Sequence, residues 1–236
     1  MNSSIESNNR NKKKPYFKKH EIALWCGSVI LIILSFLIFD RSGYMTLTAS
    51  LIGVTSLIFC AKGNPFGQVL MIIFSILYGI ISYGFHYYGE MITYLGMTLP
   101  MAVFSLISWL RNPYEKNKAE VKVNHICLKE TLFMCLLTGV VTLVFYYILA
   151  YFHTANLIPS TVSVATSFMA AYLTFRRSPY FALAYAMNDI ILIVLWCMAC
   201  LYDKHYISVV ICFVIFFVND VYGYLSWKGM EKRQQK

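Results

Sequence analysis

Two Asn-Asp pairs, Asn188-Asp189 and Asn219-Asp220, are the residues of this sequence best suited to chemistry. They lie inside the apolar runs YAMNDIILIVLWCM and FFVNDVYGYLSW. A carboxylate in such a run is costly unless a cavity, a ligand or a partner relieves it. Helical residues three, four and seven apart share a face. Tyr185 and Trp196 therefore share one with Asp189, Tyr222 shares one with Asn219, and Trp227 lies seven residues beyond Asp220. Phenol, carboxylate and indole together suit a flat heteroaromatic ligand carrying hydrogen-bonding groups, and they favour a cation. The competing reading is that Asn and Asp merely join helix to helix. The earlier half of the chain offers Gln68, Ser75 and Tyr78, then Glu90, Thr93, Tyr94 and Thr98. Of these, Gln68, Tyr78 and Thr98 join the candidate binding set. Glu90 is read as a carboxylate complementing a helix N-terminus. Trp109 and Trp227 are read as interface anchors, and Pro100 as a kink.

The elements that must position these residues are membrane helices. Hydrophobic residues make up 58% of the 236-residue chain and charged ones 13%, against about 25% in soluble domains. The apolar residues come in eight blocks, at 22–39, 44–61, 66–85, 88–110, 128–152, 157–175, 180–202 and 206–227. Each is close to the roughly 20 residues that cross a bilayer. A barrel would need short alternating strands, and none is visible. The fold class is an all-α integral membrane protein of about eight transmembrane helices.

With the N-terminus placed in the cytoplasm, 18 of the 20 basic residues fall inside; Arg41 and Lys204 alone fall outside. That asymmetry places both termini in the cytoplasm of a cell-membrane protein. Two triplets also resemble each other. Each has a VTS or ATS element (54–56, 165–167) and a basic turn followed by Pro and an aromatic (Lys62, Pro65, Phe66; Arg176, Arg177, Pro179, Tyr180). Each ends in Ser-Trp (108–109, 226–227). The resulting division is a basic tail (1–20), an added N-terminal helix (21–43) and a first three-helix repeat (44–110). A loop and linker helix (111–152), a second repeat (153–228) and a tail (229–236) follow. This is a 3+1+3 parallel plan of the SWEET type, in which substrate binds near the midplane between the repeats.

Several classes fit poorly. The net charge of +9 sits between apolar blocks, with no nucleic-acid module and no phosphate-binding GxxxxGK[ST] loop. Cys197 and Cys200 form a CxxC, but no His or second CxxC completes a metal site, so the seven cysteines read as packing residues. His20, His86, His125, His153 and His205 are scattered over loops and ends, which argues against a membrane enzyme. No metal, cofactor or catalytic residue is expected. A retinal receptor would need an intramembrane Lys and a voltage sensor an Arg-rich helix; neither is present.

The stretch YAMNDIILIVLWCMACLYDKHYISVVICFVIFFVNDVYGYLSW resembles the C-terminal half of the PnuC nicotinamide riboside transporters. NPFGQVLMIIFSILYGIISYGFHYYGEM resembles the matching part of their first half. The resemblance covers about residues 50–230. It implies a SWEET-like fold and facilitated uptake of nicotinamide riboside, with trapping by a cytoplasmic kinase rather than ion coupling. FSLISW (104–109) keeps only the last Trp of the family's aromatic-rich ending. Thiamine and riboflavin, carried by relatives of the family, are the alternative substrates, and homo-oligomerisation is left open.

Overall fold

The computed structural model describes residues 16–41, 43–84, 88–115, 117–154, 156–202 and 204–236, and only the backbone of Asn117, Lys118 and His205. The expected basic tail lies outside the described residues up to position 15, as does Phe85 at the end of the expected third helix. Among the described residues, eight helices are long and apolar enough to cross a membrane. They are α1 (Lys19–Phe39), α2 (Tyr44–Ala61), α3 (Phe66–Gly84), α4 (Tyr88–Arg111), α5 (Leu128–Tyr151), α6 (Leu157–Phe175), α7 (Phe181–Cys200) and α8 (Ile207–Gln234). Their burial is inverted relative to a soluble bundle. Leu34, Ile38, Leu136 and Leu143 point outward, while Ser28, Ser56, Ser75 and Ser105 are buried. Lipid accepts the outer apolar face, and small residues let the helices approach closely.

The same contacts recur in the two halves. α4 packs on α6, and α8 packs on α2. At the basic end of the bundle, Ser108 Oγ donates to Phe175 O (2.8 Å) and Trp109 Nε1 to Thr174 O (2.8 Å). Ser226 Oγ donates to Ala61 O (2.7 Å) and Trp227 Nε1 to Cys60 O (2.8 Å). Each Ser-Trp pair thus crosses to the first helix of the other triplet. The accepting helices end alike. The N–H groups of Gly63 and Asn64 bond Cys60 O and Phe59 O, and those of Arg177 and Ser178 bond Thr174 O and Leu173 O. These are Schellman ends, turned by a positive φ at Gly63 (+65°) and Arg177 (+56°).

The helices that precede the triplets also occupy corresponding places. Ile32 of α1 packs with Val54 and Ile215, and Phe145 of α5 with Phe168 and Met97. Glu21 in the first turn of α1 is ion-paired with Lys62 (3.2 Å), and Glu130 in the first turn of α5 with Arg176. α1 thus packs against α2 and α8, and α5 against α6 and α4.

The charged segment 111–125, expected as a plain loop, holds a two-stranded hairpin, β1 (Pro113–Tyr114) and β2 (Asn117–Val121). It is tied to both basic turns. Val121 N–H donates to Gly63 O (2.9 Å) and Asn124 N–H to Arg177 O (3.0 Å). It also explains why α8 runs seven residues past Trp227, through a segment the sequence reads largely as tail. Gln234 Nε2 donates to Glu120 Oε1 (2.9 Å) and Val121 O (3.1 Å), and Gln234 Oε1 accepts from Val123 N–H (2.8 Å).

Trp227→Phe keeps the ring but removes the bond to Cys60 O. It should cost about 0.5–1.5 kcal/mol, read as a lower unfolding temperature in detergent. Trp25→Phe, whose indole donates to Thr55 on an exposed face, should change it far less.

Candidate functional site

A cavity of about 120 Å³ lies inside the bundle, lined from α2, α3, α4, α5, the α5–α6 connection, α6, α7 and α8. One buried water needs about 10–15 Å³, so this space can hold several and solvate the polar groups around it. α7 supplies one row of the lining. Tyr185, Asn188, Asp189, Leu192 and Trp196 face the cavity, at the helical spacing read from the sequence. Trp196 is braced by Tyr206 (ring centroids 5.2 Å apart). Asn188 Oδ1 accepts from Ser163 Oγ (3.1 Å) and Thr166 Oγ1 (2.8 Å) of α6, which fixes the side chain between the two helices.

Asp189 is 4% exposed, and no N–H or O–H donor among the described residues reaches its Oδ2. Asp220 of α8 presents a second buried carboxyl to the same cavity. Opposite stands an aromatic wall in which Tyr78 and Tyr94 lie 4.3 Å apart and Phe74 lies 6.3 Å from Phe216. Gly53 makes room for that wall, since a Cβ there would come within 2.7 Å of Phe216.

α4 reaches the cavity through a π-turn, Thr93–Thr98, immediately before Pro100. Proline has no N–H to donate and crowds the preceding turn. The chain responds with a wider ring, Leu99 N–H bonding Tyr94 O. The expected kink at Pro100 is therefore a π-turn, a feature common at functional sites, and it brings Thr93, Tyr94 and Thr98 to the wall.

Of the ten candidate binding residues, the cavity brings together Tyr78, Thr98, Tyr185, Asn188, Asp189, Trp196 and Asp220. Three lie off it. Gln68 is buried against Cys60, with Nε2 3.3 Å from the sulfur. Asn219 Nδ2 donates to Ser28 Oγ (2.9 Å) and Ile215 O (2.9 Å), joining α8 to α1. Tyr222 donates its hydroxyl to Glu21 Oε1 (2.8 Å). An Asn beside an Asp points roughly 100° around the helix from it, so each Asn-Asp pair faces two directions. In α7 both residues still reach the cavity; in α8 only Asp220 does.

The structure adds residues that the sequence reading passed over. Ser160, Ser163 and Ser167 of α6 line the cavity, and their i, i+3, i+7 hydroxyl stripe was visible in the sequence. Phe74, Phe213 and Phe216 also line it, but in an apolar run a Phe carries no signal. Trp109 and Trp227, expected at the lipid interface, are fully buried, with rings 5.4 Å apart. Their N–H groups bond helix carbonyls across the bundle, so they close its centre rather than anchor its edge. Among the described residues, no group of three or more His, Cys, Asp or Glu is placed to hold a metal ion.

A family model described as nicotinamide mononucleotide transporter matches residues 43–229. A nicotinamide riboside transporter PnuC of Neisseria mucosa is 25% identical over 220 residues, 91% of this chain and 83% of that protein. A crystal structure of the vitamin B3 transporter PnuC superposes with a TM-score of 0.79 at 22% identity, covering 92% of this chain and 94% of the other. The fold is therefore shared.

With the native cysteines replaced, a cysteine at Thr98 should react with a small hydrophilic thiol reagent. A cysteine at Ser105, 1% exposed and away from the cavity, should stay unreacted. Mass spectrometry reads both, and equal labelling would contradict a cavity at this place.

Proposed function

The chain belongs to the nicotinamide mononucleotide transporter family, and we propose that it carries nicotinamide riboside across a cell membrane through the central cavity. The observation that carries this reading is the cavity's charge. Glu90, Asp189 and Asp220 line it, and no Lys, Arg or His is among the described lining residues. Riboside and mononucleotide share a pyridinium ring, which carboxyls attract strongly where water is scarce and aromatic faces stack on. The mononucleotide adds a phosphate of roughly −1.5 to −2 charge, which those carboxyls repel. The charge pattern thus favours the riboside.

That selectivity makes trapping simple. A cytoplasmic kinase that phosphorylates the riboside converts it into a species the same cavity rejects, so net uptake needs no coupled ion. Asp189, Trp196 and Asn188 are the proposed ligand contacts, with Tyr185, Asp220, Tyr78 and Thr98 beside them. The basic end, with both termini, faces the cytoplasm. The matched Ser-Trp crossings, Schellman ends and acid–base pairs support a duplication of four helices, α1–α4 and α5–α8, about an axis along the membrane normal. The Trp109–Trp227 contact on that axis is the cytoplasmic closure, which opens when the halves part.

Calorimetry on folded variants tests the reading. Trp196→Ala should weaken riboside binding by about 0.5–1.5 kcal/mol through lost stacking, and Asn188→Ala by about 1–3 kcal/mol. Asp189→Asn should lower affinity for the charged riboside more than for its uncharged dihydro form. Parental affinity in both alanine variants would mean the site is elsewhere; binding of thiamine or riboflavin with none of riboside would overturn the substrate.

A further inference from the structure

We propose that Glu90 is the substrate-selecting residue at the mouth of the cavity, capturing the cationic substrate before the deep carboxyls bind it; this rests on the riboside reading above. A carboxylate in the first turn of a helix has an ordinary explanation in the helix dipole. Three observations give this one a second role.

First, Glu90 lines the same cavity as Asp189 and Asp220. Second, its direction is set by its neighbour. A Cβ on Gly89 would lie 2.5 Å from Thr154 Oγ1 and 2.7 Å from Leu149 Cδ2. The first turn of α4 is thus pressed against the end of α5, and the next side chain is held on the cavity wall. Third, the cavity contains a deeper, nine-tenths buried carboxyl that receives no donor, Asp189 Oδ2, so its chemistry already calls for a cation.

The depths separate the two roles. Trp109 and Trp227 meet at one level. Glu90 stands 19 residues before Trp109 and Asp220 seven before Trp227. At 1.5 Å per residue the two carboxyls differ in depth by roughly 18 Å. One small ligand cannot touch both at once. A cation entering from the end opposite the basic one meets Glu90 first and the Asp189–Asp220 pair later.

Uptake kinetics in proteoliposomes test this with nicotinamide riboside and its uncharged 1,4-dihydro form. Loss of one charge-assisted contact corresponds to about a tenfold change or more. Glu90→Gln should raise KM for the charged riboside by about tenfold with little change in the maximal rate, and leave the dihydro form as in the parent. Glu90→Asp, which keeps the charge, should recover most of the loss; this distinguishes charge from damage to the fold. If the parent carries riboside and Glu90→Gln leaves its KM unchanged, or raises KM for both forms alike, the role of Glu90 is refuted while the transport reading stands. If the parent carries no riboside, both fall.

Discussion

A polar group inside a bilayer must find its partner within the protein, because lipid offers none. The arrangement of this molecule follows from that constraint. Many of its Leu and Ile residues face outward. Many of its hydroxyls turn to helix carbonyls, as Thr138 does to Met134 and Thr174 to Ala170. Asn188, Asn219 and Glu21 are each held by side chains of other helices. Three carboxyls, Glu90, Asp189 and Asp220, open on one cavity that no basic residue among the described ones lines.

The closure at the basic end obeys the same rule. An indole N–H buried among helices needs an acceptor, and the last carbonyls of a neighbouring helix are available once its chain turns away. Trp109 and Trp227 use Thr174 O and Cys60 O in this way. Because each belongs to one half and its acceptor to the other, closure and association of the halves are one structural event. The hairpin 113–121 and the extended α8 add a layer beneath, tied to Gly63 and to Arg177 through Asn124. Relative movement of the halves would therefore strain the hairpin as well as the tryptophans.

Much of this was legible in the sequence because hydropathy in membranes is a long-range signal. α2 and α6 begin and end where the apolar blocks do, and the Asp189–Trp196 face survives intact. Three kinds of feature were hidden. Direction around a helix decided Asn219 and Tyr222, since the adjacency of Asn and Asp does not say which of them faces inward. The π-turn before Pro100 shifts the register of α4 by one residue, which no 3.6-residue pattern reveals. Position along the bundle axis decided the two tryptophans: a Trp at a helix end reads as an interface anchor unless the carbonyls it reaches are known. Gln68 lies off the cavity for a simpler reason, being close enough to Cys60 to bond its sulfur.

On the reading proposed above, a cavity lined by carboxyls, with no basic group among its described lining residues, receives the cationic ring of nicotinamide riboside between its aromatic walls. A structure determined with the riboside bound tests this most directly. The ring is expected in the central cavity, packed among Tyr78, Tyr94 and Trp196, with its positive charge toward Asp189. A riboside found instead in the cleft at the basic end, lined by Lys18, Lys62 and Arg233, with the central cavity holding only water, would contradict it.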